Sequence, residues 1–205
     1  RRSSAGGVPD MSTETPRHRT IAALGLVAAG AALVVSAILT CKHEGICQGS
    51  YGCDVGGTDG CSELAKSSYS RLFGVGPKIA WFGLFYYAFL TAMYVRLLLS
   101  KELEGMGSAI TTLMAATAFG FAMNAVLAYI NYGVLPVPCN LCSLTYLLQL
   151  GTLLPAVILY LSQSKSGKVT GSFSELFSGV TGAWQSFAAA FLVSNVIRIA
   201  FSLQG

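Results

Sequence analysis

Cys139–Gln163 reads CNLCSLTYLLQLGTLLPAVILYLSQ, 25 residues without a charge. A bilayer core of about 30 Å is crossed by roughly 20 apolar residues in helical form. Lipid offers the backbone no hydrogen-bond partners, so a run of this length and composition closes its own bonds as a helix. The stretch opens with two cysteines spaced C-x-x-C, which puts a pair of thiols at one end of a membrane span. Three runs upstream share its character. Thr20–Thr40 and Ser108–Tyr132 carry no charge, and Ile79–Leu99 carries only Arg96, close enough to its end to snorkel to the interface. Downstream, Ala183–Leu203 is interrupted by Arg198 and diluted by Ser, Asn and Gln; it either spans or lies in the interface as an amphipathic helix.

The composition of the 205 residues agrees. Hydrophobic residues make up 53% and charged residues 11%, with a mean hydropathy of +0.60, where soluble domains carry about 25% charged residues. So few charges leave no means of covering a water-facing surface, which excludes a soluble globule and a disordered chain. No nucleic-acid partner is expected. The expected fold is an all-α integral membrane protein: a four-transmembrane-helix bundle with an extramembrane cysteine loop, a short cap helix and a fifth helix left open. Residues 1–18 are expected to be a disordered tail, since Arg1–Pro16 is rich in Ser, Gly, Thr and Pro. Residues 19–163 form the membrane domain, with 41–76 as its loop, and 164–205 a linker and the fifth run. Arg17 and Arg19 would suit a signal peptide, but the run after them is long for one and no small-residue cleavage site clearly follows, so the helix is retained. A chain that begins at Arg1 is expected to belong to a longer reading frame.

Orientation follows from Lys and Arg. Arg1, Arg2, Arg17, Arg19, Arg96, Lys101, Lys165 and Lys168 fall on one side, eight positive charges that mark the cytoplasmic face. Lys42, Lys66, Arg71 and Lys78 fall in the loop on the other side, where Glu44, Asp54, Asp59 and Glu63 offset them. The loop and the Gly133–Pro138 turn then face outward, towards a periplasm or an equivalent lumen. All six cysteines lie on that side: Cys41, Cys47, Cys53 and Cys61 in the loop, Cys139 and Cys142 at the outward end of the fourth span. Charge bias and cysteine placement both point to an oxidising compartment.

C-x-x-C serves zinc sites and redox pairs alike. Structural zinc wants four closed ligands, commonly two such pairs, and the other cysteine spacings are six, six and eight with His43 the lone outward histidine; no metal is expected. A redox pair has a mechanism. Pro136 and Pro138 disfavour helix just before Cys139, so the helix starts there and its positive end favours a thiolate. At the lipid boundary such a pair can exchange between a water-side disulfide and a lipid-dissolved carrier. A relay of this kind needs a second, mobile pair, and Cys53 and Cys61 frame the loop-forming DVGGTDG. They serve either as that pair or as a static staple. Cys41 and Cys47, against the end of the first span, suit a static disulfide. Ser62–Gly74 reads as a short interfacial helix, N-capped by Ser62, with Leu64, Leu72 and Phe73 towards the bilayer. In the third span Asn124 suits interhelical hydrogen bonding, and Asn131, nearer the outward end, is the better quinone candidate. Trp81 and Tyr132 suit interfacial belts, and Gly25 and Gly30 close helix packing.

Taken together, Cys53-Asp54-Val55-Gly56, Cys61, Ser62 and Ser67 after it, Cys139-x-x-Cys142 opening the fourth helix and Tyr146 four residues on resemble the vitamin K epoxide reductase family. The likeness covers about Thr20 to Gln163, and Gly74-Val75-Gly76-Pro77 is similar to the bacterial, disulfide-generating branch. The resemblance implies a quinone (ubiquinone, menaquinone or related) bound among four helices and reduced by Cys142. It implies that Cys139 exchanges with Cys61, that Cys53 meets a separate or fused thioredoxin-like partner, and that Ser67 and Tyr146 lie near the quinone. It would place the protein in a bacterial inner membrane with its cysteines facing the periplasm. The asparagine that animal members carry near the start of the second span has no clear equivalent around Ile79, which favours an ordinary respiratory quinone over epoxide chemistry. Two rivals remain: vitamin K epoxide or quinone reduction proper, and a non-catalytic four-span scaffold with a braced loop.

Overall fold

In the computed structural model of the protein the described residues are 14–47, 53–55, 58–71, 78–100, 106–134 and 138–165. Four long helices fill most of them: α1 (Glu14–His43), α3 (Ile79–Leu99), α4 (Gly107–Tyr129) and α5 (Asn140–Lys165), each apolar and long enough to cross a membrane. Between α1 and α3 lie two strands of two residues each, β1 (Asp54–Val55) and β2 (Thr58–Asp59), the helix α2 (Gly60–Lys66) and a 3-10 turn at Ser68–Ser70. A wider π-helical segment, Ile130–Val134, continues α4.

Each span has one face for its neighbours and one for lipid. On α5, Leu147, Leu150, Leu154, Ile158 and Leu161 stand exposed at helical spacing, a stripe that water would penalise and hydrocarbon would not. Inward, Tyr94, Leu90, Ile110, Leu113, Ala156 and Leu159 form a buried core with Ala22, Ala29 and Ala32 of α1. Helix α1 packs against α3 and α5, and α4 packs against α5, whereas α3 and α4 touch little. That sparse contact leaves room between them. Polar side chains bridge the helices: Gln149 donates to Tyr86 Oη (3.0 Å) and to the Thr117 carbonyl (2.9 Å), and Asn124 donates to Tyr87 Oη (3.3 Å). Asn124 thus serves the interhelical role expected of it.

Several boundaries differ from expectation. Helix α1 begins at Glu14, so residues 14–18 are helical and not part of a tail; a proline at Pro16, in the first turn, gives up no intrahelical bond. Residues 1–13, Gly74–Pro77 and the run Ala183–Leu203 lie outside the described residues. The cap helix is shorter than Ser62–Gly74 and starts earlier. Its N-cap is Asp59, whose carboxylate accepts from the backbone N–H groups of Cys61 (3.1 Å) and Ser62 (3.2 Å), the role aspartate fills best at this position. It ends at Ser67, where the backbone turns extended; Leu72 and Phe73 lie outside the described residues. Of the two glycines in the first span only Gly25 serves close packing, seating the Tyr94 ring; nothing approaches Gly30 within 4 Å.

Candidate active site

The four inner cysteines meet at one end of the bundle. Asp54 pairs with Asp59 and Val55 with Thr58 in an antiparallel hairpin, so the chain returns on itself and Gly60 donates to the Cys53 carbonyl (3.2 Å). This fold-back brings Cys53 beside Cys61, and the two form a disulfide, as do Cys41 in the last turn of α1 and Cys47 just beyond it. Cys139 and Cys142 are free thiols.

Their sulfurs continue the row. Cys61 Sγ lies 3.1 Å from Cys139 Sγ, and Cys142 Sγ lies 2.6 Å from Cys139 Sγ. Cys53, Cys61 and Cys139 are fully buried and Cys142 nearly so. Val35, Leu39 and Leu141 wrap the row in an apolar sleeve. Water is thereby kept from a chain of four sulfurs in contact.

Two devices hold Cys139. It stands one residue before α5, and its sulfur accepts from the Cys142 backbone N–H (3.3 Å), acting as an N-cap. Asn131 clamps its backbone: Oδ1 accepts from the Cys139 N–H (2.8 Å) and Nδ2 donates to the Cys139 carbonyl (3.4 Å). The Cys142 thiol hydrogen bond holds the Cys139 thiol below its ordinary pKa; burial opposes this, and the N–H groups of Cys142 and Leu141 add to the lowering. A sulfur so placed carries negative charge readily.

Gly60 sets the distance between the two pairs. A Cβ there would run into the Pro138 carbonyl oxygen and come within 3.3 Å of Cys139 Cα. Only a residue without a side chain lets α2 approach the start of α5 so closely. Lys42 of α1 then ties the hairpin down through an ion pair to Asp59 (2.8 Å), and the same carboxylate accepts from the Ser62 hydroxyl (2.7 Å).

Burial alone would raise the Asp59 pKa; hydrogen bonds from Lys42 and Ser62, with the charge of Lys42, outweigh it and bring the carboxyl down to about 2. An unfolded aspartate titrates near about 3.9, so the carboxylate stabilises the folded hairpin above that value. The contribution is lost as pH falls through about 2. We expect the protection factors of the Cys61 and Ser62 amides to hold from pH 7 to 4 and to drop below that. In Asp59→Asn they should already be low at pH 7, because the charged cap and the Lys42 pair are both gone; hydrogen exchange read by mass spectrometry checks both.

Beside the row, in the gap between α3 and α4, opens a cavity of about 720 Å³. Cys142 lines it, with Tyr146 and Thr145 of α5, Phe82, Tyr86 and Tyr87 of α3, Asn124 and Leu127 of α4, and Tyr69 and Ser70 from the cap. Its walls are apolar and aromatic, its size is that of small-molecule sites, and the free thiol of Cys142 is on the wall. These residues fit a flat, apolar, electron-accepting ring.

Of the residues singled out from the sequence, Cys142, Tyr146 and Asn131 border this cavity. The Asn131 amide also holds the Cys139 backbone. Ser67 does not border the cavity: its hydroxyl donates to the Leu64 carbonyl and it ends α2, while its neighbour Ser70 is on the wall. Tyr132 is exposed, with its hydroxyl on Ser143 Oγ, and Trp81 stacks on Phe85 and donates to Glu44 at the rim. Cys53, Asp59 and Cys61 lie close enough to suggest a metal site, yet sulfurs joined to each other offer no thiolate to an ion. Asp59 and Gly60 were read from the sequence only as part of the loop, and His43 only as a lone histidine. Asp-Gly just ahead of Cys-Ser-Glu was a legible cap signal for the first two.

Two cysteine pairs in sulfur contact at the end of four membrane spans define a membrane thiol–disulfide oxidoreductase. The model of the vitamin K epoxide reductase family matches residues 21–157, and the chain belongs to that family. No curated protein and no solved structure matches it significantly.

Proposed function

We propose that the protein oxidises a thioredoxin-like partner outside the cytoplasm of a bacterium and passes the electrons through its two cysteine pairs to a membrane quinone, sustaining disulfide formation. One observation carries this reading: the sulfur row begins at a loop disulfide and ends on the wall of an apolar cavity. A static scaffold has no use for free thiols in contact with a disulfide.

The cycle uses thiol exchange alone until its last step. Cys53 is buried, so the hairpin must first swing out; a partner thiolate then attacks Cys53, the mixed disulfide resolves, and the partner leaves oxidised with Cys53 and Cys61 reduced. Cys61 thiolate attacks Cys139 of the Cys139–Cys142 disulfide, and Cys142 leaves as thiolate. Cys53 then attacks Cys61, reforming the loop disulfide and expelling Cys139, whose lowered pKa makes it a good leaving group. This end state has the same bonding as described above, a loop disulfide beside two C-x-x-C thiols, which supports the reading. A quinone, when bound, accepts the two electrons and two protons of that dithiol. Cys142 presents them from the wall, the aromatic side chains orient the ring, and the apolar sleeve excludes water.

Capture of the partner tests the reading. In Cys61→Ala the Cys53 thiolate can attack the disulfide of an oxidised partner, displacing one partner thiolate, and no second loop thiol completes the exchange, so the partner should accumulate as a mixed disulfide separable on non-reducing gels. Mass spectrometry should identify a protein of thioredoxin type. Capture no greater than in a variant lacking both Cys53 and Cys61 would refute the assignment of Cys53.

A further inference from the structure

His43 closes α1 beneath the cap and lines the same cavity as Cys142 and Tyr146. Its side chain is 7% exposed, and among the described residues neither Nδ1 nor Nε2 has a hydrogen-bond partner. Buried polar groups are nearly always paired, and leaving one unpaired is costly. Several other polar groups on the wall are engaged: Tyr86 donates to the Ala116 carbonyl, Tyr87 to that of Thr145, Asn124 to Tyr87 and Thr145 to the Cys142 carbonyl. The backbone at His43 is held too, because Lys78 Nζ donates to its carbonyl while pairing with Glu44 (3.4 Å). The imidazole is thus fixed at its root, shielded, and unused on the wall of a cavity that suits an electron-accepting ring.

We propose that His43 hydrogen-bonds a ring oxygen of the bound quinone and delivers one of the two protons that its reduction requires. This rests on the quinone reading above. Oxidation of the Cys139–Cys142 dithiol forms one S–S bond and frees two electrons and two protons. Both electrons go to the quinone. His43 gives its ring N–H proton to one oxygen and regains a proton at its other nitrogen from the rim, where one thiol proton has been released. The second thiol proton goes to the other oxygen, and the sum is disulfide and quinol. Imidazole suits the task because its two nitrogens separate donation from recovery.

His43→Gln keeps a donor but cannot relay a proton, and His43→Ala keeps neither. The probe is ubiquinone-1, with the full chain in nanodiscs. Binding is read by tryptophan quenching in a Cys142→Ser background, and reoxidation of the pre-reduced C-x-x-C by single-turnover thiol labelling. Transfer of electrons from dithiothreitol through the loop to Cys139 serves as the measure of an intact fold. For His43→Gln we expect binding within about twofold and reoxidation slower by about 10²-fold. For His43→Ala we expect binding also weaker by about 2- to 10-fold, with loop-to-helix transfer unchanged in both. Unaltered reoxidation in both variants would overturn the proposal, as would a loss of loop-to-helix transfer in step with reoxidation, which would make His43 a structural residue. If the unsubstituted protein neither binds ubiquinone-1 nor is reoxidised by it, the quinone reading itself fails.

Discussion

Cys142→Ser should reduce quinone turnover to background while leaving the loop pair able to react. With Cys142 gone, no disulfide can form across the C-x-x-C, so the dithiol that presents electrons to the cavity no longer exists. Cys139 remains 3.1 Å from Cys61 and keeps the Asn131 clamp on its backbone. The expected signature is therefore twofold: no quinol formed from a reduced partner, and a Cys61–Cys139 mixed disulfide visible by peptide mapping under non-reducing conditions. Serine preserves most of the side-chain volume, so loss of fold is not the expected cause. Turnover at the unsubstituted rate would remove Cys142 from the electron path.

The second large effect is expected from a single methyl group. In Gly60→Ala the new Cβ meets the Pro138 carbonyl oxygen, a backbone atom that cannot swing aside. Relief requires α2 to move away from the start of α5, and Cys61 moves with it. Thiol exchange needs the attacking sulfur nearly in contact with its target, and a displacement of about 1 Å can cost on the order of 10²-fold in rate. We expect transfer from the loop to Cys139 to slow by about that factor. Reoxidation of a chemically reduced C-x-x-C should stay close to normal, because the cavity wall is not touched. A variant in which both half-reactions proceed normally would show that the approach of α2 to α5 is not set by Gly60.

These outcomes depend on features that were unequally legible in the sequence. The four spans were plain, because hydrocarbon imposes a length and a composition that few other structures need: Ile79–Leu99 was read with the bounds α3 shows. The C-x-x-C at the start of the last span was legible for a local reason, since prolines ahead of it disfavour helix and α5 begins one residue after Cys139. What could not be read was anything fixed by approach across sequence distance. Asp59 joins the start of α2 to Lys42 seventeen residues away, and Gly60 touches Pro138. Neither contact has a periodicity. For the same cause the sequence could not show that the Asn131 amide, which borders the cavity, also holds the Cys139 backbone, or that the Ser67 hydroxyl bonds its own helix end while Ser70, three residues on, reaches the cavity.

The direct contact of Cys61 with Cys139 has a consequence for how the enzyme should respond to its surroundings. Because the electrons step between neighbouring atoms in that transfer, stiffening the lipid or chilling the membrane should scarcely slow the passage between pairs. The burden of a cold or viscous bilayer should fall on the carrier's diffusion into and out of the gap between α3 and α4. Turnover in gel-phase vesicles would then be limited by carrier traffic rather than by transfer between the pairs.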